Sequence, residues 1–139
     1  MSRFARAVSV NILLASDHPV IRSSLRRLLE REPDFQVVAE AANGHDASAL
    51  VDRRAPDVVV LDVMLPQAGG VAAAKEISSR KQHPEIVFIA AYADEIYIAE
   101  AFKAGARGYV SADAAQLDLV RAIRLVLTGG EFISSSITG

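Results

Sequence analysis

Short apolar runs that alternate with amphipathic stretches constrain this chain more than any other feature of its sequence. Three of the runs are rich in Val or Ile and show little polar alternation, a pattern typical of parallel strands that are buried on both faces. The sequence therefore predicts five strands inside a layered α/β domain. They lie at about residues 10–15, 35–40, 57–61, 86–91 and 108–110.

The stretches between these runs carry helical patterns. His18-Pro19 opens the first helix, because proline suits an early helical position, and Glu32-Pro33-Asp34 ends it. Five strands alternating with five helices imply right-handed crossovers and a three-layer α/β sandwich. The other four helices are predicted at about 45–54, 70–81, 94–104 and 115–128.

Size and composition narrow the classes of function. A chain of 139 residues fits one domain with a real core, and a net charge of −2 provides no basic field for binding nucleic acid directly. The absence of cysteine excludes disulfides and thiolate metal sites. No apolar run approaches the roughly 18 residues of a membrane helix, and residues 1–6 lack the apolar core of a secretory signal. A cytoplasmic protein without membrane association is expected.

Two carboxylates follow two of the predicted strands. Asp62 ends the run 58–61, and Asp17 follows the run 10–15. Because ligands of α/β proteins bind at the carboxyl ends of parallel strands, the pair indicates a metal site, a phosphoryl acceptor, or both. The alternatives are structural: Asp62 could cap a loop, and Asp17 could cap the first helix as well as bind a metal.

Several motifs at matching spacing give the chain a family resemblance. Over about residues 10–132 it resembles the receiver domains of bacterial two-component response regulators, and most of all the LuxR/NarL-like subgroup. The resemblance implies a flavodoxin-like (βα)5 fold with a parallel five-stranded sheet in order 2-1-3-4-5. It leaves residues 1–9 as an N-terminal extension and 133–139 as a tail or the start of a linker. The motifs are Asp17-His18-Pro19, Leu61-Asp62-Val63-Met64-Leu65-Pro66, Gly70, Ala104-Gly105-Ala106-Arg107-Gly108-Tyr109 and Gly129-Gly130-Glu131-Phe132.

The resemblance also implies a function and its partners. Asp62 matches the aspartate that accepts a phosphoryl group from a sensor histidine kinase, and Mg²⁺ would be held by Asp17, Asp62 and the backbone carbonyl of Met64. A homodimer is expected, through the first and fifth helices or through the fourth helix, fifth strand and fifth helix. DNA would be bound only through a C-terminal helix-turn-helix domain absent from this chain. The domain is not expected to be an enzyme, and self-dephosphorylation is the only catalysis that could be expected of it.

Three positions depart from the family pattern. Ser16 replaces one acid of the first-strand pair, Ala90 replaces a Thr or Ser, and Ala112 replaces a lysine. The first loss should weaken Mg²⁺ binding. The other two remove phosphoryl contacts worth about 1.5–3 kcal/mol each, while inverting a two-state equilibrium takes about 5.5 kcal/mol. The domain is therefore expected to be an atypical receiver with a weakened switch, or else a phosphorylation-independent dimerisation and interaction module.

The switch aromatic of the family matches Tyr109. Beside Ala90 it could rest inward permanently, or it could be an ordinary partly exposed strand tyrosine. An enzyme that binds a nucleotide or flavin is disfavoured, because Ser16-Asp17-His18-Pro19 offers no glycine-rich loop for phosphate. The remaining polar groups are assigned structural roles.

These groups comprise three histidines, the arginines of the first helix and three serines near the C-terminal end. His18, His45 and His83 show no ligand spacing and are predicted to be loop or surface residues. The arginines are predicted to form a solvated face, and Ser134, Ser135 and Ser136 a flexible tail.

Overall fold

The computed structural model describes residues 9–66, 69–91 and 95–134. All five predicted strands and all five predicted helices are present, with ends shifted by at most three residues. A 3₁₀ turn at Ala112–Ala114 leads into the last helix. The elements are β1 (Val10–Ala15), α1 (Pro19–Glu30), β2 (Phe35–Ala41), α2 (Gly44–Arg54), β3 (Val58–Asp62), α3 (Gly69–Ser78), β4 (Glu85–Ala90), α4 (Glu95–Lys103), β5 (Gly108–Ser111), α5 (Ala115–Leu127) and β6 (Phe132–Ile133).

The sheet is parallel throughout, in the order β2-β1-β3-β4-β5-β6. The predicted order 2-1-3-4-5 is therefore correct for five strands, but the prediction of a five-stranded sheet is wrong. β6 has only two residues, too few to form a recognisable apolar run. It forms because the chain after α5 pairs in parallel with the edge of β5. There Phe132 N–H donates to Arg107 O at 2.9 Å and Ser134 N–H donates to Tyr109 O at 3.0 Å.

Two apolar layers cover the two faces of the sheet. On one face Leu25 and Leu29 of α1 pack with Leu119 and Ile123 of α5. On the other face, α2, α3 and α4 contribute residues such as Val51 and Ile77. Neighbouring residues of the central strands are buried in opposite layers, as expected for strands covered on both sides. This is the three-layer α/β sandwich that the residue pattern predicts, with the flavodoxin-like arrangement that the family resemblance implies.

The start of α1 corrects one prediction. Asp17 does not occupy the N-cap position: His18 does, and its side chain makes no capping hydrogen bond. Pro19 follows as the first helical residue. The turn before the helix is instead held by Ser16, whose Oγ accepts from His18 N–H at 3.3 Å. The Asp17 carboxylate therefore remains available at the edge of the sheet.

The described C-terminal end also differs from the prediction. Ser134 is fully buried rather than part of a flexible tail, while Ser135 and Ser136 lie outside the described residues. In the ranges that the structure describes, no helix is long and apolar enough to cross a membrane.

Candidate functional site

The two acids predicted to share a site lie together at the carboxyl ends of adjacent strands. Asp62 is the last residue of β3, and Asp17 follows β1 by two residues. The strands are hydrogen-bonded neighbours, with Ala15 opposite Leu61. One carboxylate oxygen of each acid and one ring nitrogen of His18 all lie within 4.8 Å of one another. Asp62 is half-buried, whereas Asp17 and His18 are exposed.

Both carboxylate oxygens of Asp62 have a donor within reach. Met64 N–H donates to Oδ1 at 2.9 Å. The Ser16 hydroxyl lies 3.5 Å from Oδ2, a long contact for an O–H donor. Ser16 is 2% exposed, so the position where the resemblance implies a second acid is buried in the site and faces Asp62 through a hydroxyl.

Arg22 supports this loop from α1. Its guanidinium donates to the carbonyl of Ser16 at 2.5 Å, and its Nε donates to Glu40 at 3.0 Å. Sequence reasoning assigned Arg22 to a solvated face, but its side chain is only 22% exposed. The useful signal was its position one turn after His18, at the helix end nearest the acids. No ion pair within the described ranges involves Asp62.

Gly70 fixes how closely α3 approaches the site. A Cβ at this position would lie 2.5 Å from the carbonyl oxygen of Asp62 and 2.9 Å from the Cα of Val63. Real Cβ atoms do not come this close to backbone, so only glycine allows the helix to pack here. Gly70 N–H also donates to Val63 O at 3.3 Å.

The far wall of the site comes from β4 and β5. Ala90 ends β4 and pairs with Ser111, while Phe88 pairs with Tyr109. Tyr109 is fully buried, with its ring centroid 6.3 Å from that of Phe88. It is therefore not a partly exposed strand tyrosine. Ala90 is buried in the same layer and brings no hydroxyl.

The end of β5 provides no cation at the expected position. Ala112 begins the 3₁₀ turn and is exposed. The hydroxyl of the preceding Ser111 donates to the carboxylate of Asp113, so it is engaged within its own turn and not with Asp62.

Comparison with known proteins agrees with this geometry. The model of the response regulator receiver domain matches residues 12–124. The chain belongs to the response regulator receiver domain family. This receiver domain is similar to a LuxR-family response regulator from Aurantimonas sp. SI85-9A1, with a TM-score of 0.89 and 37% identity over 94% of this chain and 93% of that one.

Curated relatives show the same relationship. The receiver domain is 36% identical over 128 residues to the response regulator UvrY of Escherichia coli, which covers 92% of this chain and 59% of UvrY. It is 31% identical over 129 residues to the transcriptional regulatory protein DegU of Brevibacillus brevis, covering 93% of this chain and 55% of DegU. The chain thus spans somewhat more than half the length of these relatives.

The donors of the receiver domain fit a hard divalent cation. Such ions prefer carboxylate and carbonyl oxygens, and the structure brings together the carboxylates of Asp17 and Asp62. The sequence predicted both acids at this site and predicted His18 as a loop or surface residue; His18 is exposed, but it also lies beside the two acids. Its position directly after Asp17 was the signal that it would lie beside the acids.

Proposed function

We propose that this chain is the receiver domain of a two-component response regulator, that Asp62 is its phosphoacceptor, and that its switch is weakened. In the proposal a sensor histidine kinase donates the phosphoryl group, and a separate DNA-binding domain carries the effect on transcription. The observation that supports it most is the position of Asp62 at the end of β3, with Asp17 within ligand distance.

The proposed chemistry is attack by a carboxylate on phosphorus. An oxygen of Asp62 forms a bond to phosphorus while the P–N bond to the kinase histidine breaks, and the leaving imidazole takes up a proton. When bound, Mg²⁺ would supply neutralisation of charge between the carboxylate and the anionic donor. Asp17, Asp62 and the carbonyl of Met64 would hold it. Met64 N–H keeps one oxygen of Asp62 oriented.

The weakness of the switch follows from the residues around Asp62. The side chains of Ala90 and Ala112 cannot hydrogen-bond a phosphoryl group, which removes side-chain contacts worth about 3–6 kcal/mol in total. That sum is comparable to the roughly 5.5 kcal/mol needed to invert a two-state equilibrium. Tyr109 is already buried, so phosphorylation would cause little further inward movement of its ring.

Intact-mass analysis after treatment with acetyl phosphate and Mg²⁺ tests the acceptor. We expect a gain of one phosphoryl group that is absent in Asp62→Asn and that forms in Ala112→Lys at least as readily. Asp57→Asn, which alters a carboxylate at the opposite end of β3, is the matched control and should still be labelled. Labelling that persists in Asp62→Asn would refute the assignment.

The second candidate function is a phosphorylation-independent interaction module. The buried Tyr109 beside Ala90 favours it, because no hydroxyl at position 90 can follow a phosphoryl group. Light scattering with and without acetyl phosphate and Mg²⁺ separates the two. A dimer that forms equally well in Asp62→Asn supports the module, whereas a dimer that requires Asp62 supports the phosphorylated switch.

A further inference from the structure

We infer that His18 supplies a nitrogen ligand at the cation site, which therefore binds a borderline dication of the Co²⁺, Ni²⁺ or Zn²⁺ class more tightly than Mg²⁺. The inference rests on the proposed function, because it concerns the same cation beside Asp62. It adds a ligand, and a metal class, to the all-oxygen set that the family resemblance implies.

The distances suit a shared ion. The Nε2 of His18 lies 3.6 Å from Oδ1 of Asp17, and the three ligand atoms, with Asp62, lie within 4.8 Å of one another. Metal–ligand bonds of about 2.0–2.2 Å place neighbouring ligand atoms roughly 3.0–3.5 Å apart and opposite ones roughly 4.2 Å apart. One cation can therefore reach all three groups after only small side-chain adjustments.

The chemistry of the donors favours a transition metal. Mg²⁺ takes oxygen ligands almost exclusively, whereas imidazole suits Zn²⁺, Ni²⁺ and related ions, whose affinity for mixed nitrogen and oxygen sites is greater. Replacement of an acid by Ser16 removes one negative charge. That loss weakens the attraction for Mg²⁺, which depends mostly on charge, more than the attraction for an ion that also bonds to nitrogen.

The loop holds His18 beside the acids. The buried Ser16 hydroxyl accepts from His18 N–H at 3.3 Å, and Arg22 fixes the carbonyl of Ser16. The backbone of His18 is therefore anchored, while its exposed ring can turn toward Asp62. His45, at the start of α2, provides a matched histidine in the same protein that is not part of the cluster.

Titration with Co²⁺, followed by visible absorption and by calorimetry, tests the inference. We expect the natural chain to bind Co²⁺ at least about tenfold more tightly than Mg²⁺. His18→Asn should weaken Co²⁺ binding by about tenfold or more and shift the absorption band, while Mg²⁺ affinity changes less than about twofold. His45→Asn should alter neither affinity. Because His18 is exposed, the substitution should leave the domain folded, which circular dichroism verifies.

Different failures have different meanings. If His18→Asn leaves Co²⁺ affinity unchanged while Asp62→Asn abolishes it, the inference is overturned and the cation site of the proposed function stands. If His18→Asn weakens Mg²⁺ and Co²⁺ equally, the histidine only positions the loop and the ligand assignment is wrong. If Co²⁺ binding survives Asp62→Asn, the ion binds elsewhere and the inference is also overturned. If the natural chain binds neither ion, the inference and the cation of the proposed function both fail.

Discussion

The hydroxyl of Ser134 donates to Oδ2 of Asp118 at 2.8 Å, and both residues are buried. The same hydroxyl oxygen accepts from Ser111 N–H at 3.0 Å. The side chain of Ser134, the residue after β6, thus links that strand to α5 and to Ser111, the last residue of β5. Ser111 directly precedes Ala112.

Loss of this hydroxyl should weaken the domain. Ser134→Ala leaves the buried carboxylate of Asp118 and the amide of Ser111 without this partner, at a cost of about 1–3 kcal/mol in the free energy of unfolding. Urea denaturation measures it, and hydrogen exchange at residues 130–134 should become faster. Ser79→Ala, which removes an exposed serine hydroxyl that donates to the helix carbonyl of Glu76, should cost less than about 0.5 kcal/mol. Equal losses for the two variants would contradict this account of Ser134.

Alanine at position 70 should disturb the acceptor directly. Its Cβ would push against the backbone of Asp62 and Val63, and forcing extra volume into a packed position costs about 1–3 kcal/mol. We expect Gly70→Ala to lower both the stability and the rate of labelling of Asp62 by acetyl phosphate.

Gly69→Ala provides the control for that substitution. Position 69 has open space around a Cβ but a φ of +76°, so alanine there pays a backbone cost of about 1–2 kcal/mol without reaching Asp62. Labelling should slow only in Gly70→Ala. Equal slowing in both variants would mean that the close contact is unimportant.

Restoring the missing acid should couple stability to Mg²⁺. In Ser16→Asp a second carboxylate would lie near Asp62, since the Ser16 hydroxyl is 3.5 Å from it. Two like charges placed close together at a site with little solvent destabilise the ion-free domain. We expect a lower Tm than the natural chain without Mg²⁺ and a larger rise in Tm when Mg²⁺ is added. Ser16→Asn should give neither effect, and an identical Mg²⁺ response in all three proteins would contradict the role assigned to position 16.

The cluster around Arg124 predicts an acid-dependent contribution to stability. Arg124 donates to Asp34 at 2.9 Å and lies 4.5 Å from the centroid of the Phe35 ring. The hydrogen bond from Arg124 holds the pKa of Asp34 below its usual value. Because the pKa is lower in the folded state, the stabilisation is present above the unfolded-state pKa of about 3.9 and is lost as pH falls through the folded-state value.

Arg124→Met should therefore destabilise the domain at neutral pH by about 1 kcal/mol, since the Arg124 side chain is 44% exposed where it contacts Asp34, Glu32 and Phe35. The deficit should begin to shrink as pH falls below the unfolded-state pKa of about 3.9, and it should be smallest once pH lies below the lowered pKa of Asp34 in the folded natural chain. Urea denaturation at several pH values checks this, with the exposed Arg53→Met as the control. A deficit that is independent of pH would assign the effect to packing on Phe35 alone.

The elements of the fold could be predicted closely because their signals are local. The apolar run 58–61 has no polar residue to face solvent, so both faces of that strand must be covered. Leu25 and Leu29 are four residues apart, which places them on the same side of α1 and makes that side the buried one. β6 was missed because two residues carry no periodicity. Its stability comes from the neighbouring edge of β5, which the sequence of β6 does not contain.

The candidate site was predictable only in part, for the same reason. Asp17 and Asp62 could be placed together because each follows a strand, and parallel strands end at one edge of the sheet. The contacts of Arg22 with Ser16 and Glu40, and of Ser134 with Asp118, depend on the rotation and packing of a helix against the sheet. No local pattern encodes that rotation.

By itself, then, the sequence determined the layers and the residues at the carboxyl ends of the strands, because burial period and chain connectivity act over short distances; the order of the five main strands came from the family resemblance. Only the tertiary structure decided that Ser16 faces Asp62 across 46 positions of sequence, that Tyr109 is fully buried, and that His18 lies beside both acids. Those relationships depend on register and side-chain packing between elements, which are settled only when the whole core is assembled.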